Sequence, residues 1–266
     1  MKIVIDSDNS CGLCNKLWSL INPILWAKKH KKFLLILSYD YNYRYFPNLL
    51  INKNFFNPFI GIHHSIAFRL SHKIRLHLKN NRWKYEKSEK KIWNGWENIG
   101  DKINKKDLTV VRNIFKPCKK IDNRLEKIFS DNRKNNLLII GIHIRRGDYK
   151  DYCDGKYFFS LEEYKKIMSK IIHKFGGGIK FFIASNEKIK THEFSNFKFF
   201  TSNGSTVYDL YGLSKCDYII GPPSTFSMWA SLFGQVPICF IVKKNQQKFN
   251  FRNINCCPTL EEIEKI

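Results

Sequence analysis

Residues 137–149 read Leu137-Leu138-Ile139-Ile140-Gly141-Ile142-His143-Ile144-Arg145-Arg146-Gly147-Asp148-Tyr149. The stretch Leu137–Ile144 is a continuous apolar run of strand length, the pattern of a strand buried on both faces of a parallel sheet. Charged side chains are costly inside such a sheet, so Arg145 and Arg146 belong at its carboxyl end. Adjacent strand residues point to opposite faces. One guanidinium can therefore reach a ligand while the other pairs with Asp148 or a neighbouring helix.

Outward from this strand the text alternates. Leu161–Phe175 is an amphipathic helix that ends at Gly176-Gly177-Gly178, and Ile179–Ala184 is a strand. Thr206–Cys216 reads as a helix with Thr206 and Asp209 at capping-box spacing. Tyr218–Ile220 is a strand, Thr225–Phe233 a helix and Pro237–Val242 a strand. Strands alternating with helices through short connections predict a doubly wound α/β domain over residues 136–266. Upstream, Lys2–Asp6 and Phe33–Leu37 read as strands flanking a helix over Leu17–Lys28, the start of an N-terminal α/β domain over residues 1–135. Between Tyr39 and about Lys106 the text is irregular, aromatic and basic, and we assign no elements. Asp107–Arg112 reads as a strand, and Asp122–Phe129 as a short helix before a polar break at Ser130–Asn136.

The chain has 266 residues, 43% of them hydrophobic and 15% aromatic, enough for a folded core. No apolar run approaches the roughly 20 residues of a membrane span. The opening Met1-Lys2-Ile3-Val4-Ile5-Asp6 is too short an apolar stretch for a secretory leader, which points to a cytoplasmic protein, peripheral to a membrane at most. Eight cysteines in this setting read as reduced thiols. The net charge is +23, and residues 1–136 hold 28 Lys+Arg against 11 Asp+Glu. Such a field suits an acidic partner, either nucleic acid or an anionic membrane surface. No zinc-finger spacing, RNA-recognition aromatic signature or helix-turn-helix supports nucleic acid. Trp83, Trp93 and Trp96, lying among lysines, favour a membrane surface.

Two further segments carry chemistry. Gly221-Pro222-Pro223-Ser224-Thr225-Phe226-Ser227 ends a strand in a rigid turn and opens a helix, placing small hydroxyls where free N–H groups and the helix dipole favour an anion. Ordinary N-capping by Ser224 is the plainer reading, and the double arginine at a strand end of the same sheet tips the balance to phosphate. Asn9-Ser10-Cys11-Gly12-Leu13-Cys14-Asn15 occupies the first strand–helix turn. It is open to two readings. Cys11 and Cys14 have the spacing of a thioredoxin-type pair at a helix start, where thiol pKa falls. Alternatively, Gly12-Leu13-x-Asn15 is a close-approach turn that presents the Asn15 side chain to a cleft. Asp6-Ser7-Asp8 matches a metal-binding Asp-x-Asp, but sits on the first strand, before any nucleotide-binding unit.

His143-Ile144-Arg145-Arg146-Gly147-Asp148-Tyr149, Ser224-Thr225-Phe226-Ser227-x-Trp229 and Gly12-Leu13-x-Asn15-x-Leu17 together resemble the three signature segments of the α-1,2-fucosyltransferase family. The N-terminal segment departs from the family pattern, with Cys11 and Cys14 where glycines are usual. The resemblance implies a GT-B fold, two Rossmann-like domains facing a cleft with the C-terminal one binding the nucleotide. It implies GDP-fucose as donor, transfer with inversion to a hydroxyl of a glycan, and no obligatory metal. Carried over by position, Arg145 grips the diphosphate with Arg146 assisting, and His143 lies near the nucleoside. Ser224, Thr225 and Ser227 line the phosphate loop, Asn186 stands near the nucleotide, and Gly12 and Asn15 face the donor from the other domain. Cationic and N–H donors would stabilise the charge growing on departing GDP. Asp148, with Asp151 and Asp154 behind it, is the candidate base for the acceptor hydroxyl, or else it orients Arg145. The basic N-terminal half suggests a lipid-linked or anionic acceptor, such as a bacterial- or viral-type surface glycan. A thiol-disulfide oxidoreductase using Cys11 and Cys14, and a basic nucleic-acid-binding protein, are the competing readings.

Overall fold

A computed structural model describes residues 3–6, 12–38, 40–50, 55–56, 66–67, 69–70, 73–74, 77, 91–93, 100–133 and 137–265. Two compact units result, Met1–Cys118 and Lys119–Ile266.

The first unit is built on a parallel sheet of β1 (Ile3–Asp6), β2 (Phe33–Ile36), β3 (Phe55–Phe56) and β4 (Lys91–Trp93), in the order β3-β2-β1-β4. Between β1 and β2 runs helix α1 (Leu13–Lys29), whose apolar side, with Leu17, Leu20 and Ile24, is fully buried. The helix starts at Leu13, one turn before the apolar periodicity becomes visible at Leu17. Its Lys16 is buried and pairs with the partly buried Asp40 at 3.2 Å. After a short helix α2 (Pro47–Leu50), the segment expected as a strand at Asp107–Arg112 is instead helical, within α3 (Lys105–Ile114). Asn104 caps it, its side-chain oxygen accepting the Asp107 N–H at 2.9 Å. Leu108, Val111, Ile114 and Phe115 then fall on one buried side. The β-branched pair Val110-Val111 suggests a strand, but the cap and the three-residue spacing outweigh it.

In the second unit five parallel strands take the order β7-β6-β5-β8-β9. They are β5 (Leu138–Ile144), β6 (Ile179–Ser185), β7 (Phe199–Phe200), β8 (Tyr218–Gly221) and β9 (Ile238–Phe240). Helix α4 (Lys119–Asn132) precedes β5. Then α5 (Leu161–Phe175) follows β5, α6 (Thr206–Leu213) precedes β8, α7 (Thr225–Gly234) joins β8 to β9, and α8 (Leu260–Glu264) closes the chain. Alternation along β5 divides its residues between two layers. Ile140, Ile142 and Ile144 join Tyr164, Ile167, Met168 and Ile171 of α5 in one core. Gly141 faces the other way, where Leu213 and Cys216 come so close that a Cβ would lie 2.7 Å from the Leu213 side chain. The doubly wound reading of this half is correct.

Two details differ from expectation. Helix α4 belongs with the second unit, not with a first domain ending at residue 135. Its Phe129 packs 5.4 Å from Phe182 and 5.3 Å from Phe200, ring centre to ring centre. Arg124 donates to the carbonyls of Ser202 and Asn203. The capping box at Thr206 and Asp209 does not form either: Ser205 is the N-cap, and Asp209 accepts instead from the Ser202 hydroxyl at 2.5 Å.

Candidate active site

Strand order reverses between β5 and β8. From β5 the chain moves outward to β6 and β7, then returns to lay β8 on the other side of β5. Loops leaving the carboxyl ends of such neighbours diverge and leave a crevice, the usual ligand site of an open α/β sheet. The double-arginine segment and the Gly-Pro-Pro turn are the two loops in question.

His143, the penultimate residue of β5, is 3% exposed and stacks on Phe226 of α7 with ring centres 5.0 Å apart. Burial, with the Arg145 charge behind it, lowers its pKa to about 3, so the imidazole is neutral at any working pH. Gly221 at the end of β8 allows this packing, since a Cβ there would sit 2.8 Å from the His143 Cβ. The next strand residues emerge as expected. Arg145 donates its backbone N–H to the buried Tyr164 hydroxyl at 3.2 Å, and its guanidinium pairs with Asp148 at 2.8 Å. Arg146 pairs with Glu187 at 3.4 Å. Both arginines are thus oriented by carboxylates, where the sequence suggested one pair only.

The loop that follows is held by β6. The Asn186 side-chain oxygen accepts the Arg146 N–H at 3.0 Å, and Glu187 accepts the Gly147 N–H at 3.2 Å. Gly147 has φ +44, and a Cβ would lie 2.9 Å from the Asn186 amide nitrogen, so only glycine suits the turn. Asn186 therefore holds the arginine loop. Tyr149 closes the structure from the other side. Its phenol is buried and donates to the Pro223 carbonyl at 2.5 Å, and burial pushes its pKa up to about 12.

Across the crevice, Ser224 caps α7, its hydroxyl accepting the Phe226 N–H at 3.3 Å. Thr225 is the first helical residue and half-buried. Ser227 is fully buried and donates to the Ser224 carbonyl at 3.2 Å, so its hydroxyl secures the turn and does not line the loop as expected. Three buried nitrogens in this cluster have no hydrogen-bond partner among the described residues: His143 Nδ1, Arg145 Nε and Arg146 Nε. Buried donors and acceptors are almost always paired, so this strand end carries polar groups that the described residues leave unsatisfied.

Sequence reasoning missed Tyr149, Tyr164 and Glu187. Each acts through a neighbour that only strand register brings close. In the first unit, Gly12 is the N-cap of α1 and an added Cβ would meet nothing within 4 Å, so no close approach to another described residue explains it. Asn15 lies in the first turn of the same helix. Cys14 is 5% exposed, while Cys11, Ser7, Asp8, Trp83 and Trp96 fall outside the described residues. Among the described residues no three His, Cys, Asp or Glu side chains gather in a way that could hold a metal, and no helix is long and apolar enough to cross a membrane.

Two parallel α/β sheets, the second carrying a pair of arginines at its switch point, match the GT-B-like fold expected from the sequence. The profile of glycosyl transferase family 11 matches residues 109–257, more than half of the chain, and the chain belongs to that family. The resemblance to fucosyltransferases read from three short segments thus holds. Among solved structures, NodZ α-1,6-fucosyltransferase soaked with GDP-fucose superposes with a TM-score of 0.58 at 15% identity, covering 96% of this chain and 100% of that one; another NodZ structure is from Bradyrhizobium. POFUT1 in complex with GDP-fucose gives 0.58 at 10% identity, covering 91% and 98% of the two chains. An Arg-to-Lys mutant of Arabidopsis thaliana FUT1 in complex with GDP gives 0.61 at 12%, covering 94% and 74%. At such identities these likenesses speak to the fold. No curated protein matches the chain.

Proposed function

We propose that this protein transfers L-fucose from GDP-fucose to a hydroxyl of a glycan acceptor, with inversion and in α-1,2 linkage. The observation that carries the donor site is the pair of arginines at the carboxyl end of β5, with the N-terminus of α7 following the neighbouring strand β8 at the switch point. Family membership and the GDP-fucose complexes of proteins sharing the fold support the choice of donor. The linkage rests on the motif resemblance alone.

Arg145 and Arg146, with the positive end of the α7 dipole, meet the diphosphate and stabilise the charge that grows as GDP leaves. Thr225 adds a hydroxyl beside it. Asn15 and Gly12 belong to the donor side of the first unit in this reading. Asp148 pairs with Arg145, so we assign it the positioning of that guanidinium, leaving the acceptor's base to Asp151 or Asp154. No obligatory metal is part of the proposal. The redox alternative is weakened by the burial of Cys14, and no nucleic-acid-binding module supports the other. The basic charge favours an anionic or lipid-linked acceptor met in the cytoplasm at a membrane surface.

The test is GDP release and transfer with a panel of sugar nucleotides. GDP-fucose is expected to be the substrate, and Arg145→Ala to lose roughly 100-fold or more in kcat/KM while keeping its circular dichroism spectrum. Undiminished turnover in that folded variant removes Arg145 from the site.

A further inference from the structure

A recess in the second unit lies outside the cradle just described. A cavity of about 590 Å³ opens at the end of β9, lined by Lys156, Lys243, Lys248, Arg252, Gln246 and Glu264. That volume falls within the range of about 300–1,000 Å³ common for small-ligand sites. The β8–β9 register pairs Gly221 with Phe240, so the cavity sits at the same carboxyl edge of the sheet as the cradle.

The recess is built around a fixed loop. Gln246 is 6% exposed; its side-chain oxygen accepts the Val242 N–H at 3.1 Å, and its amide nitrogen donates to the carbonyls of Phe240 and Lys248, both at 3.0 Å. Lys170 from α5 donates to the Gln246 carbonyl at 3.1 Å. A satisfied, buried carboxamide of this kind preorganises the residues around it.

Charge then decides what the recess would hold. Arg252 is half-buried and stacks 5.6 Å above the Phe240 ring; Glu262 acts on it through its charge, and no ion pair within 4.0 Å holds its guanidinium among the described residues. Burial lowers its pKa. The one carboxylate in the lining, Glu264, is engaged by Lys156 at 2.6 Å and by the Tyr157 hydroxyl. Lys243, Lys248 and Arg252 are left to face the space. A second cavity, of about 580 Å³, shares Gln247, Lys248 and Asn250 and adds Lys174, so the basic track continues beyond the first. Partly desolvated guanidinium with carboxamides nearby suits a carboxylate or phosphate carried on a polyhydroxylated body. The wall is also joined to the arginine loop. Tyr149 stacks on Tyr152 at 5.1 Å, Tyr152 on Tyr157 at 6.4 Å, and Tyr157 holds Glu264.

We propose that this cavity binds an anionic sugar of the acceptor, a uronate or a phosphorylated saccharide, while the nucleotide occupies the β5–β8 crevice. The assignment of the ligand to the acceptor rests on the transferase reading. Isothermal titration of the full chain with glucuronic acid and galactose 6-phosphate, at saturating GDP, tests it. Both probes are expected to bind the GDP-loaded protein, at least tenfold more tightly than galactose or inorganic phosphate. Arg252→Gln and, separately, the exposed Lys248→Gln are each expected to weaken both probes, Arg252→Gln at least tenfold, with GDP affinity unchanged. Displacement of the probes by GDP, or unaltered binding in both variants, overturns the proposal. Equal affinity for inorganic phosphate and the sugar phosphate also overturns it, in favour of a free-anion site. Failure of wild-type protein to bind GDP at all is a different result and counts against the donor site.

Discussion

The Arg145–Asp148 pair, at 2.8 Å, raises the question of what the carboxylate does. If Asp148 only aims the guanidinium, Asp148→Asn raises the KM for donor about tenfold and changes kcat less, because the arginine remains but wanders. A base would show the converse, a kcat loss of two orders or more at unchanged KM with the acidic limb of the pH profile removed. Steady-state kinetics across pH distinguish the two. His143 predicts a pH effect on stability. Its folded pKa of about 3 lies below the unfolded value, so between those limits the unfolded chain binds more protons and stability falls as pH falls. From pH 7 to pH 5 this group alone costs about 2 kcal/mol. Asp209, whose burial raises its carboxyl to about 6, acts in the opposite direction, losing stability as pH rises through that window. His143→Gln is therefore expected to flatten the rise in chemical-denaturation midpoint from pH 5 to 7, and Asp209→Asn to steepen it. Identical slopes in the variants and the parent refute both assignments.

At the level of elements, the legible parts were those where local pattern and final structure agree. The β5 run, the α5 helix ending at three glycines, and the strand–turn–helix at Gly221–Thr225 declare themselves through apolar continuity, period and capping. Helix α3 did not, because its β-branched residues sit where a strand would also place them, and the decisive Asn104 cap lies just upstream. Asn104→Ala is expected to destabilise the first unit by about 1 kcal/mol, read as a lowered denaturation midpoint. The short β7 escaped notice because Phe199-Phe200 is two residues long and is defined by pairing with β6, not by any sequence period. The residues that hold the arginine loop, Asn186, Glu187 and Tyr149, were invisible or only approximate for a similar reason: their roles arise from β5–β6 and β5–β8 adjacency, which sequence spacing does not encode.

At the scale of the whole molecule, the reassignment of α4 has a direct consequence for where the chain can be cut. Ile121, Leu125 and Phe129 are almost fully buried in the second unit, and Lys215 bridges to Asp122 and Glu126 of the same helix. A fragment of residues 119–266 is expected to unfold cooperatively, while 136–266 exposes the apolar face left by α4 and does not. Thermal melts of the two fragments check this, and equal cooperativity would show that α4 is dispensable.

The buried phenol of Tyr149 bridges the loop after β5 to the turn after β8. It acts as a rivet between the opposing lips of the crevice. Opening one lip must break that link or drag the other along, so the two loops give way together rather than either peeling back alone.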